Sequence, residues 1–140
     1  MSTTSIVDLL RQRAADSPDK RSYTFLAAGE EVETLTFFQL NLRAQAIGAR
    51  LQQLGTKGER ALLLYPPGMD YIAAFYGCVA AGTVAVPAYP PRRNRTLERL
   101  ELRLGDARPK AVRTPEAVLQ QLRRRLEGAQ QVGDRRCGRR

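Results

Sequence analysis

The sequence has no histidine and no tryptophan, and it carries only two cysteines. Without histidine the chain supplies neither the base of a histidine-dependent triad nor an imidazole metal ligand. Cys78 and Cys137 stand far apart, so no disulfide framework and no metal-ligand spacing arises. Cys78 lies in an apolar run and reads as a small buried hydrophobe. Cys137 lies in a polar, arginine-rich tail. Aromatic residues make up only 6% of the chain, too few to interleave with basic residues as a base-stacking platform does. A secretory leader is not expected either, because "MSTTSIVDLLRQRAADSPDK" carries charges where an apolar core is needed. The longest apolar stretch, Ala61 to Pro91, is interrupted by Pro66, Pro67, Gly68, Asp70, Gly77, Gly82 and Pro87. Its helical part falls short of the about 20 residues a bilayer requires. The expectation is a cytoplasmic protein with no membrane span.

What is present fits one small globular domain: 140 residues, 43% of them hydrophobic. The formal net charge is +9, and it is uneven. Before Arg92 there are eight basic and eight acidic residues, and from Arg92 onward fifteen and six. The whole excess therefore lies in the last third, and a body-wide nucleic-acid footprint is not expected.

Hydrophobic spacing and turn residues divide the chain into elements. Ile6 to Ala14 reads as an amphipathic helix. Thr4 or Ser5 would cap it, Asp8 suits its first turn, and Ile6, Leu9, Leu10 and Arg13 share one face. Pro18 ends it. "SYTFLAAGEEVETLTF" reads as a β-hairpin turning at Gly29-Glu30, with Val32, Thr34 and Thr36 alternating on the return strand and Leu35 breaking the pattern. Thr36 and Gln39 form a capping-box pattern that opens a helix with Leu40, Ala44, Ile47, Leu51 and Leu54 on one face and Gly55 at its end. "RALLLY" predicts a buried parallel strand. "MDYIAAFYGCVAAG" predicts a helix against the sheet, its small residues permitting close backbone approach. "TVAVPA" predicts the next strand, and the three make one right-handed βαβ crossover. A proline loop leads into a helix from about Thr96 to Gly105. "KAVRT" is a third strand, and Thr114-Pro115-Glu116 opens a last helix striped by Leu119, Leu122 and Leu126. After Leu126 the pattern stops, and "EGAQQVGDRRCGRR" reads as disordered or as a linker. The fold class is α/β, a partial parallel-sheet βαβ subdomain preceded by a β-hairpin.

Chemistry is sparse. The Gly55–Gly58 turn has the wrong spacing for a phosphate loop and reads better as a helix stop. Glu98, Glu101 and Asp106 read as surface residues among arginines rather than an acid–base pair. Tyr65, Tyr71, Tyr76 and Tyr89 stand beside proline loops and the ends of parallel strands, where open α/β sheets place ligands. Packing is the plain reading for them, and lining a substrate channel is the alternative. Arg92, Arg93, Arg95, Arg99, Arg103, Arg108 and the run Arg123-Arg124-Arg125 read as solvated helix faces and tail. Contact with RNA or acidic lipid is their alternative.

The stretch from Ser22 to Leu100 resembles the extreme N-terminal part of the adenylate-forming enzymes. Within them it is most similar to the fatty acyl-AMP ligases. "LLLYPPGMDYIAAFYGCVAAGTVAVPAYPP" is the most specific piece, and the doubled "YPP" at Tyr65–Pro67 and Tyr89–Pro91 favours the acyl-AMP branch over the acyl-CoA synthetases. The likeness runs from about residue 5 to 126. It implies the large N-terminal domain of an AMP-dependent ligase over residues 1–127, followed by a basic, disordered tail over 128–140. It also implies an enzyme that activates a fatty acid with ATP and Mg2+ to acyl-AMP. The acyl group then passes to the phosphopantetheine thiol of an acyl carrier protein, often on a polyketide or peptide synthase.

The departures matter as much. The Thr/Ser/Gly-rich phosphate loop with its lysine, the adenine and ribose motifs and the catalytic lysine of the small C-terminal domain are all missing. No catalytic, cofactor-binding or metal-binding residue carries over. Tyr65 and Tyr89 remain as contributors to scaffold or channel. The expectation is therefore an N-terminal fragment, inactive and poorly soluble alone, that binds no cofactor itself. "AQQVGDRRCGRR" looks like out-of-frame translation of GC-rich DNA. The competing readings are the N-terminal half of a split or CoA-forming synthetase, its missing domain supplied in trans, and a small basic interaction or nucleic-acid-binding protein.

Overall fold

The computed structural model describes residues 4–90, 98–120 and 122–124. Arg92, Arg93, Arg95, Thr96, Arg125, Leu126 and the tail from Gly128 lie outside them.

Helix α1, Ile6–Asp16, starts with a reciprocal cap: the Asp8 amide donates to the Ser5 hydroxyl oxygen, and the Ser5 amide donates to the Asp8 carboxylate. Its buried face is Val7, Leu10 and Ala14, and Ile6 and Leu9 are about half exposed. The expected face was one residue off. Both sets keep helical spacing and both contain Leu10, so periodicity alone does not choose between them.

Strands β1, Arg21–Ala27, and β2, Glu30–Thr36, form the hairpin. Its turn is Ala28-Gly29, both at positive φ, one residue earlier than expected. Two adjacent left-handed residues match the right-handed twist of the flanking strands. Two register shifts break the alternation along the pair. As a result Leu35, the residue that spoiled the pattern, is the buried one, and Val32 is 63% exposed. The Ser22 hydroxyl donates to the Leu35 carbonyl at 2.8 Å.

Helix α2, Phe37–Gln53, opens with the expected Thr36/Gln39 box. It buries Leu40, Ala44, Gly48 and Leu51, while Leu54 lies beyond its last turn and is exposed. Strand β3, Arg60–Leu64, helix α3, Met69–Ala80, and strand β4, Val84–Ala88, follow, then helix α4, Glu98–Ala107, and strand β5, Ala111–Arg113. The parallel sheet has the order β4-β3-β5. Residues 116–120 and 122–124 are helical. Thr114 does not cap that last helix; its hydroxyl donates instead to the Leu64 carbonyl at 2.9 Å.

The pleat of β3 sorts the core into layers. Ala61, Leu63 and Tyr65 face Leu51 of α2 and Ala74 and Cys78 of α3. Leu62 and Leu64 face the other way, against Leu100 and Leu104 of α4 and Leu122. Helices thus cover both faces of a parallel sheet, as a near-continuous apolar strand requires. Leu10, Leu35, Leu40, Met69, Ala73 and Tyr76 join α1 and the hairpin to the α2–α3 pair.

Candidate functional site

Strands β3 and β5 end side by side, and a cleft of about 520 Å³ opens there. Open α/β sheets hold ligands at this end of their strands. Tyr65, the residue after β3, forms one wall with Arg113, the last residue of β5, and Pro115. Helix α2 adds Arg43, Ala46 and Ile47, helix α3 adds Asp70 and Ala73, and the hairpin adds Glu33.

The rim is an ion-pair relay across three elements. The Arg43 guanidinium lies 3.3 Å from the Glu33 carboxylate and 3.8 Å from that of Asp70. All three side chains are substantially exposed, so the relay orients the hairpin against the helices more than it stabilises them. Asp70 also sits in the first turn of α3, which has no side-chain cap, where the helix dipole favours an acid.

Behind the rim, burial sets the protonation of the tyrosines and the cysteine. Burial raises the Tyr65 phenol above its ordinary value, and the Arg113 guanidinium opposes that shift. Burial also pushes the Cys78 thiol up to about 11, again opposed by Arg113. Tyr76 is pushed up to about 12, by burial first and then by the 3.1 Å hydrogen bond its hydroxyl shares with Tyr23. At neutral pH these groups stay protonated and furnish neither a nucleophile nor a general base. The Nε of Arg113 is buried with no hydrogen-bond partner.

The candidate tyrosines therefore separate. Tyr65 lines the cleft and is 8% exposed. Tyr89 is 73% exposed and lies outside the cleft lining. Tyr76 packs edge-on against Tyr23 and Phe75, and Tyr71 tilts against Phe75. Arg99, Arg103, Arg108, Arg123 and Arg124 are exposed. Reading the sequence missed Arg113 and Arg43. A signal for Arg113 existed, since it closes the third strand candidate just before Thr114-Pro115.

The Gly55–Gly58 turn is not built as a phosphate cradle. Three of the four amides of the Gly55–Gly58 turn are already bonded: Gly55 to the Gln52 carbonyl, Thr56 to Leu51 and Gly58 to Gly82. The single amide left over, that of Lys57, does not make the row of donors that cradles a phosphate. Among the described residues no group of three or more Cys, Asp or Glu side chains is placed to hold a metal ion, and no helix is long and apolar enough to cross a membrane.

Comparison with known proteins returns one consistent answer. The family model described as AMP-binding enzyme matches residues 10–138. The chain is 43% identical over 123 residues to a medium-chain-fatty-acid–[acyl-carrier-protein] ligase, JamA, of Moorena producens, covering 85% of this chain and 21% of that protein. It is 34% identical over 119 residues to the long-chain-fatty-acid–AMP ligase FadD26 of Mycobacterium tuberculosis, covering 82% and 20%. The fold superposes on the crystal structure of fatty acid AMP ligase from Legionella pneumophila with a TM-score of 0.78 and 41% identity, over 86% of this chain and 21% of that one. A Mycobacterium tuberculosis fatty acyl CoA synthetase aligns with a TM-score of 0.66 and 30% identity, over 86% and 24%. The chain thus spans about a fifth of the length of the curated relatives it matches.

Proposed function

The chain belongs to the AMP-binding enzyme family, and from that premise we propose that it is the opening segment, residues 1–127, of the large N-terminal domain of a fatty acyl-AMP ligase, followed by a basic tail over 128–140. The whole enzyme would join a fatty acid to AMP at the expense of ATP, with Mg2+, and release pyrophosphate. It would then hand the acyl group to the phosphopantetheine thiol of a carrier protein. Such an enzyme works in the cytoplasm, where ATP and carrier proteins are found.

The observation that carries this reading is the difference between two superpositions. Over the same share of this chain, the Legionella pneumophila fatty acid AMP ligase fits with a TM-score of 0.78, and the mycobacterial fatty acyl CoA synthetase with 0.66. The identity moves the same way, 41% against 30%. Both favour the acyl-AMP branch.

The 140-residue chain is inactive alone on this reading. An adenylation transition state needs preorganised positive groups and backbone donors around the phosphates. Three of the four Gly55–Gly58 amides are occupied, and Arg43 is engaged by two carboxylates. Tyr65 contributes a wall to the scaffold near the strand ends. Tyr89 contributes to a channel only where the rest of the domain covers it.

The test is fatty-acid-dependent exchange of labelled pyrophosphate into ATP. The chain is assayed alone and joined in one polypeptide to the part of the Legionella pneumophila ligase that follows the matched segment. Exchange is expected only from the joined protein, followed by acyl transfer to a holo carrier protein in preference to CoA. A folded joined protein without exchange would sink the ligase reading. Exchange by the chain alone would sink the inactivity, and preference for CoA would sink the acyl-AMP branch.

A further inference from the structure

Helix α4 turns an apolar stripe to the sheet and a mixed one to solvent. Leu100 and Leu104 pack against Leu62 and Leu64 of β3. On the outward side Arg99, Leu102, Arg103 and Asp106 fall at i, i+3, i+4 and i+7, which is one face of a helix. All of them are exposed, Leu102 to 68%. Among the described side chains no acid is within salt-bridge reach of either arginine. Glu101 is exposed too, but its spacing puts it on the opposite flank.

One hydrogen bond fixes where this stripe sits. The Arg60 guanidinium, at the start of β3, donates to the Ala107 carbonyl, at the end of α4, at 3.1 Å. Helix α4 therefore runs back against the strands. Arg99 precedes Ala107 along it and stands about 12 Å nearer the end where β3 and β5 open into the cleft. Open α/β sheets hold their ligands at that end. The stripe also stays accessible in a longer protein. Helix α3 is apolar on nearly every face, as a helix covered on all sides is, whereas α4 is apolar on one side and charged on the other, as a surface helix is.

We propose that the outward stripe of α4 is the docking surface for the carrier protein that takes the acyl group. The inference rests on the ligase reading above, which makes a carrier protein the acceptor. The stripe fits a helix whose carboxylates flank an apolar residue. The carboxylates accept from Arg99 and Arg103, and the apolar residue covers Leu102. Asp106 repels an acid beyond the second turn and so confines the acidic contact to the half of α4 nearer the cleft. A carrier seated there holds its phosphopantetheine thiol at the ligand end of the sheet. A flat anionic bilayer would meet Asp106 together with the arginines, which counts against a lipid surface as the occupant.

The experiment follows the fluorescence anisotropy of a labelled holo acyl carrier protein from Legionella pneumophila as the full 140-residue chain is added. The double variant Arg99→Gln/Arg103→Gln is expected to weaken binding about tenfold at low salt and to flatten its salt dependence. Leu102→Ser should weaken it about threefold. Arg124→Gln, an exposed position on the last helix, should change it less than about twofold. Equal weakening by Arg124→Gln would overturn the proposal, and so would no binding by a chain that circular dichroism shows to be folded. Vesicles of phosphatidylglycerol are expected to leave the complex intact; displacement of the carrier would make the stripe a lipid-binding one and overturn the proposal. A second readout does not depend on the isolated chain folding. In acyl transfer by the joined polypeptide, the double variant should raise KM for the carrier about tenfold, with little change in kcat. An unchanged KM would sink the docking surface. Pyrophosphate exchange by the unsubstituted joined protein needs no carrier and reports the ligase reading separately.

Discussion

A Cβ placed on Gly77 of α3 would lie 2.5 Å from Cγ2 of Ile47 on α2. The two helices cross at this point because one of them has no side chain there. The matching position on α2, Gly48, is less tight, since a Cβ there would meet the Gly77 carbonyl oxygen at 3.2 Å. Alanine gains about 1 kcal/mol over glycine inside a helix. At Gly77 the clash with a β-branched side chain outweighs that gain. Gly77→Ala is expected to destabilise the chain by about 1–3 kcal/mol, and Gly48→Ala to change it by about 1 kcal/mol or less. Urea unfolding followed by circular dichroism separates the two. Equal midpoints would mean that the crossing does not rest on Gly77.

Thr56 and Thr83 tie the turn after α2 to the start of β4. Both are buried, their hydroxyl oxygens are 2.8 Å apart, and the Thr56 hydroxyl also reaches the Leu51 carbonyl at 2.9 Å. Thr83→Val keeps the shape and strands part of the network, at a cost of about 1–3 kcal/mol. The double variant Thr56→Val/Thr83→Val should cost less than the sum of the singles, because the second replacement removes the group the first left unsatisfied. Strict additivity in a double-mutant cycle would show that the two hydroxyls do not act together.

Most of the fold was legible because its signals are local. Thr36 with Gln39, Gly55 after Leu54, and the apolar "RALLL" between turns each encode one decision in adjacent residues. The misreadings arose where two local solutions compete and tertiary contact decides. The α1 face is an example, with Leu10 shared and Val7 chosen over Leu9. The hairpin is another, where register shifts bury Leu35 and expose Val32. The cleft was half legible. Tyr65 stood out by following an apolar strand, whereas Arg113 and Arg43 resemble the chain's other arginines until the sheet brings the ends of β3 and β5 together. Arg43 needs Glu33 and Asp70, ten residues before it and twenty-seven after, and no period in the sequence links such distances.

Removing the charge at Arg113 should help the isolated chain. Arg113→Met keeps most of the aliphatic stem and deletes a buried donor without an acceptor, a change that is often neutral or favourable. The expected gain is up to about 1 kcal/mol, limited because the side chain is partly exposed. Thermal unfolding checks it. A loss of more than about 1 kcal/mol would mean that the guanidinium's contact with the Tyr65 phenol outweighs the stranded Nε.

Cys78 gives the stability a definite dependence on alkaline pH. Its thiol is held near 11 in the folded chain against about 9 when exposed. Between those values the unfolded chain releases the proton and the folded chain keeps it, so the unfolded state binds fewer protons. Stability therefore falls as pH rises through this window, by at most about 1.4 kcal/mol per unit. Tyr76, raised from 10.0 to about 12, adds a slope of the same sign above pH 10. With Cys137→Ser as background, Cys78 is the sole thiol. It should react slowly with a disulfide reagent at pH 8 and quickly once urea unfolds the chain. Comparing this background with Cys78→Ala/Cys137→Ser isolates the thiol's share: the alanine variant should lose the slope between pH 9 and 10 and keep the part above 10. Parallel stability curves for the two proteins across that window would show that the thiol is not held protonated by the core, and Cys78 would then be a reactive group rather than a packing one.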